Sequence, residues 1–355
     1  MSENPKEAEK EMEKAIFISA DCWLKVFDLL PRPQLGLGIA MISRRFDCFV
    51  DEHFKTRKWT LGKLKIRRKI GKNGAVEMKI VNSTGKTLPT PQNALPNKVM
   101  AFRSISIYFI DQNVFIFLHR FHRFLVTCAT ELAIATENVR ISAFFVLNIW
   151  PMFKNSTILM HLNTMNFHQM RKFAPSLLND CPSLRVVTFY DGISTEFPPD
   201  DSANATDGQT VAKWLFTPRA DNLPKMLRIE KTTVDQWLAT VEQIKTAFFV
   251  ASSPVNFVIS IDVPPLSSLS SAVVPFQLTN AFTGEKLTLS QENAEDGNCF
   301  LLIRCPIAAS DEQKWEKEME EEFDGRQNKI GIFIGYGGID NGLLDASSAG
   351  PSGDH

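Results

Sequence analysis

No apolar run in this chain approaches the ~18 residues that a membrane helix needs. The longest, such as Ala143–Ile149, stop far short, and the N-terminus is acidic rather than basic-then-apolar, so neither a membrane span nor a leader is expected. Cysteine is sparse as well. Six residues (Cys22, Cys48, Cys128, Cys181, Cys299, Cys305) stand singly along 355 positions, which excludes a packed disulfide framework and points to a reducing setting, cytoplasmic or nuclear. Charge of one sign is not in excess either. A formal net charge of -1 argues against a wholesale polyanion partner.

Catalytic signatures are missing too. No Gly-x-Ser-x-Gly elbow, Gly-x-x-x-x-Gly-Lys-Ser/Thr phosphate loop or His-Glu-x-x-His pair occurs. His119 and His122 stand i, i+3 on a helical pattern, but no Cys or carboxylate lies nearby in sequence to complete a metal site. Cys299 and Cys305 are too far apart for a Cys-x-x-Cys pair, and Cys305 sits in a strand pattern as a small core residue would. The expectation is therefore a protein with no catalytic residues, no metal and no cofactor.

What is present begins with the stretch Asp21–Phe54. Trp23, Val26, Phe27 and Leu30 recur at helical spacing until Pro31 and Pro33 end the stripe. A second short segment follows over Gln34–Met41. Ser43 can cap a third helix that carries Phe46, Phe49, Val50 and Phe54. Three short helices with so many large apolar side chains hold more apolar surface than their own core can absorb, which predicts a partner over the excess.

This order of residues resembles the F-box, the motif by which substrate receptors of cullin-type ubiquitin ligases dock on the Skp adaptor. The family's apolar first-helix positions fall on Leu24, Val26, Phe27 and Leu30; its Leu-Pro-Pro-x-x-Leu turn falls on Leu30, Pro31, Arg32 and Leu35; its Val-Ser-Arg-Arg-Phe run falls on Ile42, Ser43, Arg44, Arg45 and Phe46. Where the family opens with Leu-Pro, this chain has Ile18-Ser19. The resemblance implies adaptor contacts through Leu24, Val26, Phe27, Leu30, Pro31, Leu35, Ile42 and Phe46.

Beyond this motif, Lys55–Lys72 carries nine Lys or Arg and no acid. Its near alternation with Trp59, Leu61, Leu64 and Ile66 predicts a solvated strand or hairpin, with a turn at Gly71–Gly74 and Val76, Met78 and Ile80 returning. Nucleic acid is the rival partner for this run, although only Trp59 supplies an interleaved aromatic. Pro89, Pro91 and Pro96 read as a linker.

From there strand and helix patterns alternate. Strand signals at Ile105–Phe109, Leu132–Ile134, Ile158–Met160 and Val186–Val187 recur, the last three about 26 to 28 residues apart, with helical segments at Val114–Leu125, Ala143–Phe153 and His168–Leu178. That period fits a leucine-rich-repeat-like coil, and an ordinary α/β or α+β domain fits the same signals. Pro198–Gln209 is turn-rich and reads as an exposed loop. Thr233 and Gln236 form a capping box for a helix through Phe248; Val255–Val263 alternates as a strand; a hairpin turns at Thr283-Gly284; and Cys299–Ile307 is a further strand. Ser310 with Gln313 caps a last helix bearing Trp315, Met319 and Phe323. The run Arg304–Ile307, with Asp311-Glu312 and Lys314–Glu316, is similar to the closing segment of the F-box families expanded in nematodes.

The fold expected is α/β (α+β): a disordered acidic tail over 1–14, a three-helix F-box over 15–55, a basic strand or hairpin and linker over 56–97, a strand–helix, repeat-like substrate-binding domain over 98–334, and a disordered tail over 335–355. The function expected is a non-enzymatic substrate-recognition subunit of a Skp-cullin-F-box ligase. Its partners would be the adaptor, through it the cullin, and a target protein, with no membrane partner. A nucleic-acid binder using Lys55–Lys72 and a scaffold with no ubiquitin role are the alternatives.

Overall fold

The structure is a computed structural model that describes residues 18–30, 35, 39–54, 59–68, 76–81, 87–88, 99–120, 130–136, 138–263, 273–294, 297–305, 328–334 and 338–348. The chain mixes helices with strands and is of the α/β class. Its contacts divide it into one unit of residues 1–61 and 91–100 and a second of 62–90 and 101–355.

The first unit holds helix α1 (Ala20–Leu29), a short 3-10 turn at Ile39–Met41 and helix α2 (Arg44–Phe54). Pro31 and the rest of the turn over 31–34 lie outside the described residues.

Among the described residues there are thirteen strands: β1 (Trp59–Arg68), β2 (Val76–Val81), β3 (Thr87–Leu88), β4 (Val99–Ile107), β5 (Thr130–Thr136), β6 (Thr157–Leu162), β7 (Val186–Phe189), β8 (Lys225–Ile229), β9 (Phe257–Val263), β10 (Phe276–Thr279), β11 (Lys286–Ala294), β12 (Gly297–Cys305) and β13 (Asn328–Ile334). They form one sheet in the order β10-β11-β12-β9-β8-β7-β6-β5-β13-β4-β1-β2-β3. From β4 through β13 and β5 to β9, neighbouring strands run parallel; β12, β11 and β10 then continue antiparallel, and β2 is antiparallel to both β1 and β3.

Strands β5 to β9 lie side by side in chain order. The connections between them carry α3 to α8 in part: α3 (Gln112–Arg120) precedes β5, α4 (Val139–Phe144) and α5 (Trp150–Phe153) lie between β5 and β6, α6 (Thr164–Arg171) follows β6, α7 (Asp207–Phe216) follows β7 and α8 (Val234–Val250) follows β8. Parallel strands need such crossovers, because a tight turn returns the chain antiparallel.

Two faces result from the alternation of side chains. On one, Leu132, Met160, Val187, Leu227, Ile259 and Leu302 stand in register, followed by Leu162, Phe189, Ile229, Ile261 and Phe300; all are buried. Helices cover this face: Phe167 of α6 meets Phe189 edge-on at 5.4 Å, and Phe216 of α7 meets Phe257 at 5.2 Å. The opposite face carries a cluster of Leu159, Val186, Met226, Val258 and Ile303.

Several expected elements stand where periodicity put them. The basic run is strand β1, with Leu64 and Ile66 buried while Lys63, Lys65 and Arg67 are exposed, and β2 returns antiparallel with Arg67 opposite Glu77. The turn at 71–74 lies outside the described residues. The hairpin belongs to the same sheet as the other described strands. The capping box of Thr233 and Gln236 opens α8, and the hairpin β10–β11 turns through Gly284, whose φ of 73° explains the glycine.

Other expectations are corrected. The segment read as a helix over His168–Leu178 begins earlier: Asn163 accepts the N–H of Asn166 (2.7 Å) and caps α6, which ends at Arg171. Pro175 disfavours helical backbone at Ala174, and turns occupy 172–180. Part of the stretch read as a loop is helix α7, capped by Thr206 with Gln209 in a capping box; its first residue, Asp207, receives Nη1 of the buried Arg171 at 2.6 Å. The segment 341–348, read as disordered, is helix α9 (Asn341–Ser348), anchored by the buried Ile339 beside Ile110. In the α4–α5 connection, Phe145–Ile149 is a π-turn. Pro151 supplies no N–H and its ring crowds the carbonyl four residues back, so the widened turn, closed by Trp150 N–H to Phe145, relieves the clash. The final helix expected over 310–323 falls outside the described residues.

Candidate partner-binding site

The N-terminal unit is assembled from its caps and its aromatic side chains. Ser19 opens α1 by accepting the N–H of Cys22 on Oγ (3.4 Å), and Asp21 in the first turn favours the positive end of the helix. Helix α2 starts at Ser43, whose Oγ accepts the N–H of Phe46 (3.3 Å). The two helices then meet through rings. Trp23 points its plane at Phe46 (4.8 Å, 84°), Phe46 contacts Phe49 edge-on (6.4 Å), and Phe27 lies between Trp23 (6.3 Å) and His53 (5.9 Å). Arg45 stacks over Phe49 at 5.3 Å and donates to the carbonyl of Ile18 (3.3 Å), tying the entry of α1 to α2.

Against this frame the expected contact residues divide. Phe27 and Leu35 are buried, as is Val50 of α2. Leu24, Leu30 and Phe46 are half-buried. Val26 (41 % exposed) and Ile42 (64 %) face solvent. Phe27 and Leu35 are therefore interior residues in this structure. Pro31 lies outside the described residues.

Two surface residues escaped the sequence reading. Leu29 is 84 % exposed and stands one helical turn after Val26, and Met41 is 78 % exposed and immediately precedes Ile42. Leu29 stands outside the Trp23–Val26–Phe27–Leu30 stripe, so periodicity alone gave no reason to single it out. The signal available was the absence of any polar residue at Leu29 and Leu30, where an amphipathic helix would place one on its outer side. Isolated apolar side chains at a surface are ordinary, but these four together with Ile18 in so short a unit are candidate contact residues.

The chemistry sought elsewhere stays apart. His119 is exposed on α3, His122 lies outside the described residues, and Cys305 is half-buried at the end of β12. Among the described residues no group of three or more His, Cys, Asp or Glu is arranged to hold a metal ion, and no helix is long and apolar enough to cross a membrane. A shallow cleft between α3 and the π-turn is lined by Phe115, His119, Leu147, Asn148, Pro151 and Met152.

No family model, no curated protein and no solved structure matches this chain.

Proposed function

We propose that this chain is the substrate-recognition subunit of a Skp-cullin-F-box type ubiquitin ligase. Residues 15–55 hold the Skp adaptor, and through it the cullin, in the cytoplasm or nucleus. The C-terminal domain, a leucine-rich-repeat-like array of strand–helix units, holds a target protein. The chain performs no chemistry of its own. Its contribution is proximity, because a target lysine held near the ligase's ubiquitin-charged enzyme is present there at a raised effective concentration.

The observation that carries this reading is the division of the N-terminal unit, among its described residues, into a buried set, Phe27, Leu35 and Val50, and an exposed apolar set, Ile18, Val26, Leu29, Met41 and Ile42. A unit that spends its aromatics on internal packing and still exposes five large aliphatic side chains is suited to a partner with an apolar surface. The chain-order adjacency of β5 to β9 supports the repeat-like reading of the second unit, since each strand–helix unit buries its apolar row against the next. The connection between β7 and β8 is the longest of these, lengthened by the loop over 190–206 that Arg171 pins through the carbonyls of Ser202 and Ala205.

The test is association of the purified chain with the Skp adaptor. Binding at or below tens of micromolar is expected, with Leu29→Asp and Ile42→Asp each abolishing capture because a charge would be desolvated in the contact, at a cost of ~2 kcal/mol or more. Lys25→Ala should matter little. No association at that concentration, while a consensus F-box control binds, would sink the proposal.

A nucleic-acid role has one observation in its favour, the exposure of Lys63, Lys65 and Arg67 along β1. Arg67 and Lys79 both engage Glu77 (3.3 and 2.9 Å), which holds Glu77 below the usual carboxylate range through hydrogen bonding and charge. The basic strand is thus partly neutralised by its own hairpin.

A further inference from the structure

Strands β5, β13, β4, β1 and β2 are successive neighbours in the sheet. Alternation in β1 buries Leu64 and Ile66 and leaves Lys63, Lys65 and Arg67 in solvent; in β4 it buries Ile105 and Ile107, and the next residue, Tyr108, is 46 % exposed. Tyr108 N–H donates to the Ile66 carbonyl (2.9 Å), and the Arg68 guanidinium lies over the ring of Phe109 at 4.2 Å. Arg68 and Phe109 therefore share one face, and Arg67 stands beside Tyr108 on the other. Between β4 and β13 the register aligns Ser106 with Gly331 and continues to Tyr108 and Phe333, whose rings stack at 5.6 Å with 25° between the planes. The lysines of β1 and this aromatic pair thus lie on one face of the sheet.

Phe333, 39 % exposed, folds back over Gly331: a Cβ there would come within 2.3 Å of its ring, which accounts for a glycine inside a strand. Opposite Phe333 on β5 stands the exposed Ala135, so that strand puts only a methyl group beside the ring. Toward the amino end of β1 the face is basic. Glu77 engages Arg67 and Lys79 (3.3 and 2.9 Å), but Lys63 and Lys65 have no ion-pair partner among the described residues, and Lys65 stands directly opposite Lys79. Like charges opposed across two strands are destabilising, and a bound anion removes that cost.

We propose that this face binds an extended acidic segment of a target polypeptide, with two carboxylates at alternate positions against Lys63 and Lys65 and an apolar side chain further on against Phe333 and Tyr108. Side chains on one face of a strand are about 6.6 Å apart, the same interval as alternate side chains of an extended peptide. Lys63, Lys65 and the row of Arg67, Tyr108 and Phe333 follow one another at that interval, so a pattern acid-x-acid-x-apolar lies in step with the face. A basic segment would be repelled by the lysines, and a wholly apolar one would leave them opposed without a counter-charge. Nucleic acid fits less well: two lysines without partners match two carboxylates rather than a run of phosphates, and rings stacked on each other offer one apolar patch rather than successive platforms for bases. Use of the face for target docking rests on the receptor reading above; binding of an acidic peptide does not.

The experiment uses the full chain and blocked, rhodamine-labelled Gly-Ser peptides carrying Asp-Gly-Asp-Gly-Leu, followed by anisotropy. Controls replace both Asp by Asn, or Leu by Ser, and oligothymidine serves as a polyanion that is not a peptide. The Asp peptide should bind about fivefold or more tightly than the Asn peptide, and its binding should weaken between roughly 50 and 300 mM salt. Lys63→Ser with Lys65→Ser should erase that preference, while Lys231→Ser, which alters an exposed lysine elsewhere in the chain, should keep it. Phe333→Ala should weaken the Leu peptide about threefold or more and leave the Ser peptide unchanged. Unchanged thermal melts of these variants would assign the losses to the face, and the Asn and Ser peptides need no variant, so a change in the Phe333→Ala melt leaves the test intact. Equal binding of the Asp and Asn peptides, indifference to loss of both lysines, or tighter binding of oligothymidine than of the Asp peptide would overturn the proposal. Adaptor capture measured on the same preparation reads the N-terminal unit alone, so either reading can fail while the other stands.

Discussion

Oε2 of Glu285 lies 2.6 Å from Nη2 of Arg304 with both side chains fully buried, and this pair joins three parts of the second unit. Glu285 also accepts the N–H of Val255 at the entry to β9 (2.7 Å) and the hydroxyl of Thr283 in the hairpin turn (2.8 Å). Arg304 donates to the carbonyl of Ser253 (3.2 Å) beyond the end of α8 and lies over the rings of Phe216 and Phe248 at 5.5 and 5.3 Å. Nη1 of Arg304 has no hydrogen-bond partner among the described residues, so the guanidinium depends on this one carboxylate.

Removing one member of this pair is expected to be far worse than removing both. Glu285→Ala leaves a buried, uncompensated guanidinium and should cost about 3–5 kcal/mol in urea unfolding. Glu285→Leu combined with Arg304→Met should recover much of that loss. A double variant as unstable as the sum of the singles would show that the pair acts only as packing volume.

Lys225 supplies a pH dependence. It is buried at the start of β8, donates Nζ to the carbonyl of Trp214, and its pKa is lowered to about 7 by burial and then by the nearby Arg219. Between that value and the ~10.4 of an unfolded lysine, the unfolded chain binds the proton that the folded chain has lost. Stability from this group therefore rises with pH across the window and is flat below it. The slope of unfolding free energy between pH 7 and 10 should diminish in Lys225→Met, and an identical slope in parent and variant would refute the assignment.

Ser19 precedes α1 with a backbone (φ -64°) that would accept a proline. The hydroxyl nevertheless caps α1, so Ser19→Pro and Ser19→Ala should each destabilise the helix by about 1 kcal/mol, whereas Ser19→Asp should retain the cap. Hydrogen exchange of the α1 amides reads this directly. Faster exchange in the Pro and Ala variants only is the expected pattern.

Leu35→Asp and Leu29→Asp separate folding from docking. The first places a charge at a buried position and should unfold the N-terminal unit; the second alters a residue 84 % exposed and should leave its helicity intact. If Leu29→Asp also lost helicity, its lost adaptor capture would carry no information about a contact surface.

Replacing Lys63, Lys65 and Arg67 with Ser tests the basic strand. Nonspecific nucleic-acid affinity at physiological salt should be weak and nearly unchanged, because these residues flank a strand whose apolar side is buried and whose Glu77 already engages Arg67. A steep salt slope in the parent that flattens in the variant would favour the rival role.

The sequence by itself determined the elements whose signals are local. Helix α8 is written in Thr233, Gln236 and an i, i+3, i+4 stripe; β1 and β9 are written in alternation; the β10–β11 hairpin is written in Thr283-Gly284; and the aromatic and aliphatic surplus of α1 and α2 is visible in composition. These depend on neighbours within a few residues, which is the range that helical and strand periodicities encode. Tertiary structure decided what required partners distant in the chain. Only the assembled second unit places β13 between β4 and β5, buries Lys225, seals Glu285 against Arg304 and stacks His161 on Tyr190. Tertiary structure also decided which members of one stripe became interior: Phe27 is enclosed by Trp23 and His53, while Val26, one residue before it, is left in solvent. Residue type sets the free energy gained by burial, but the side that is buried is fixed by which helix or strand packs there.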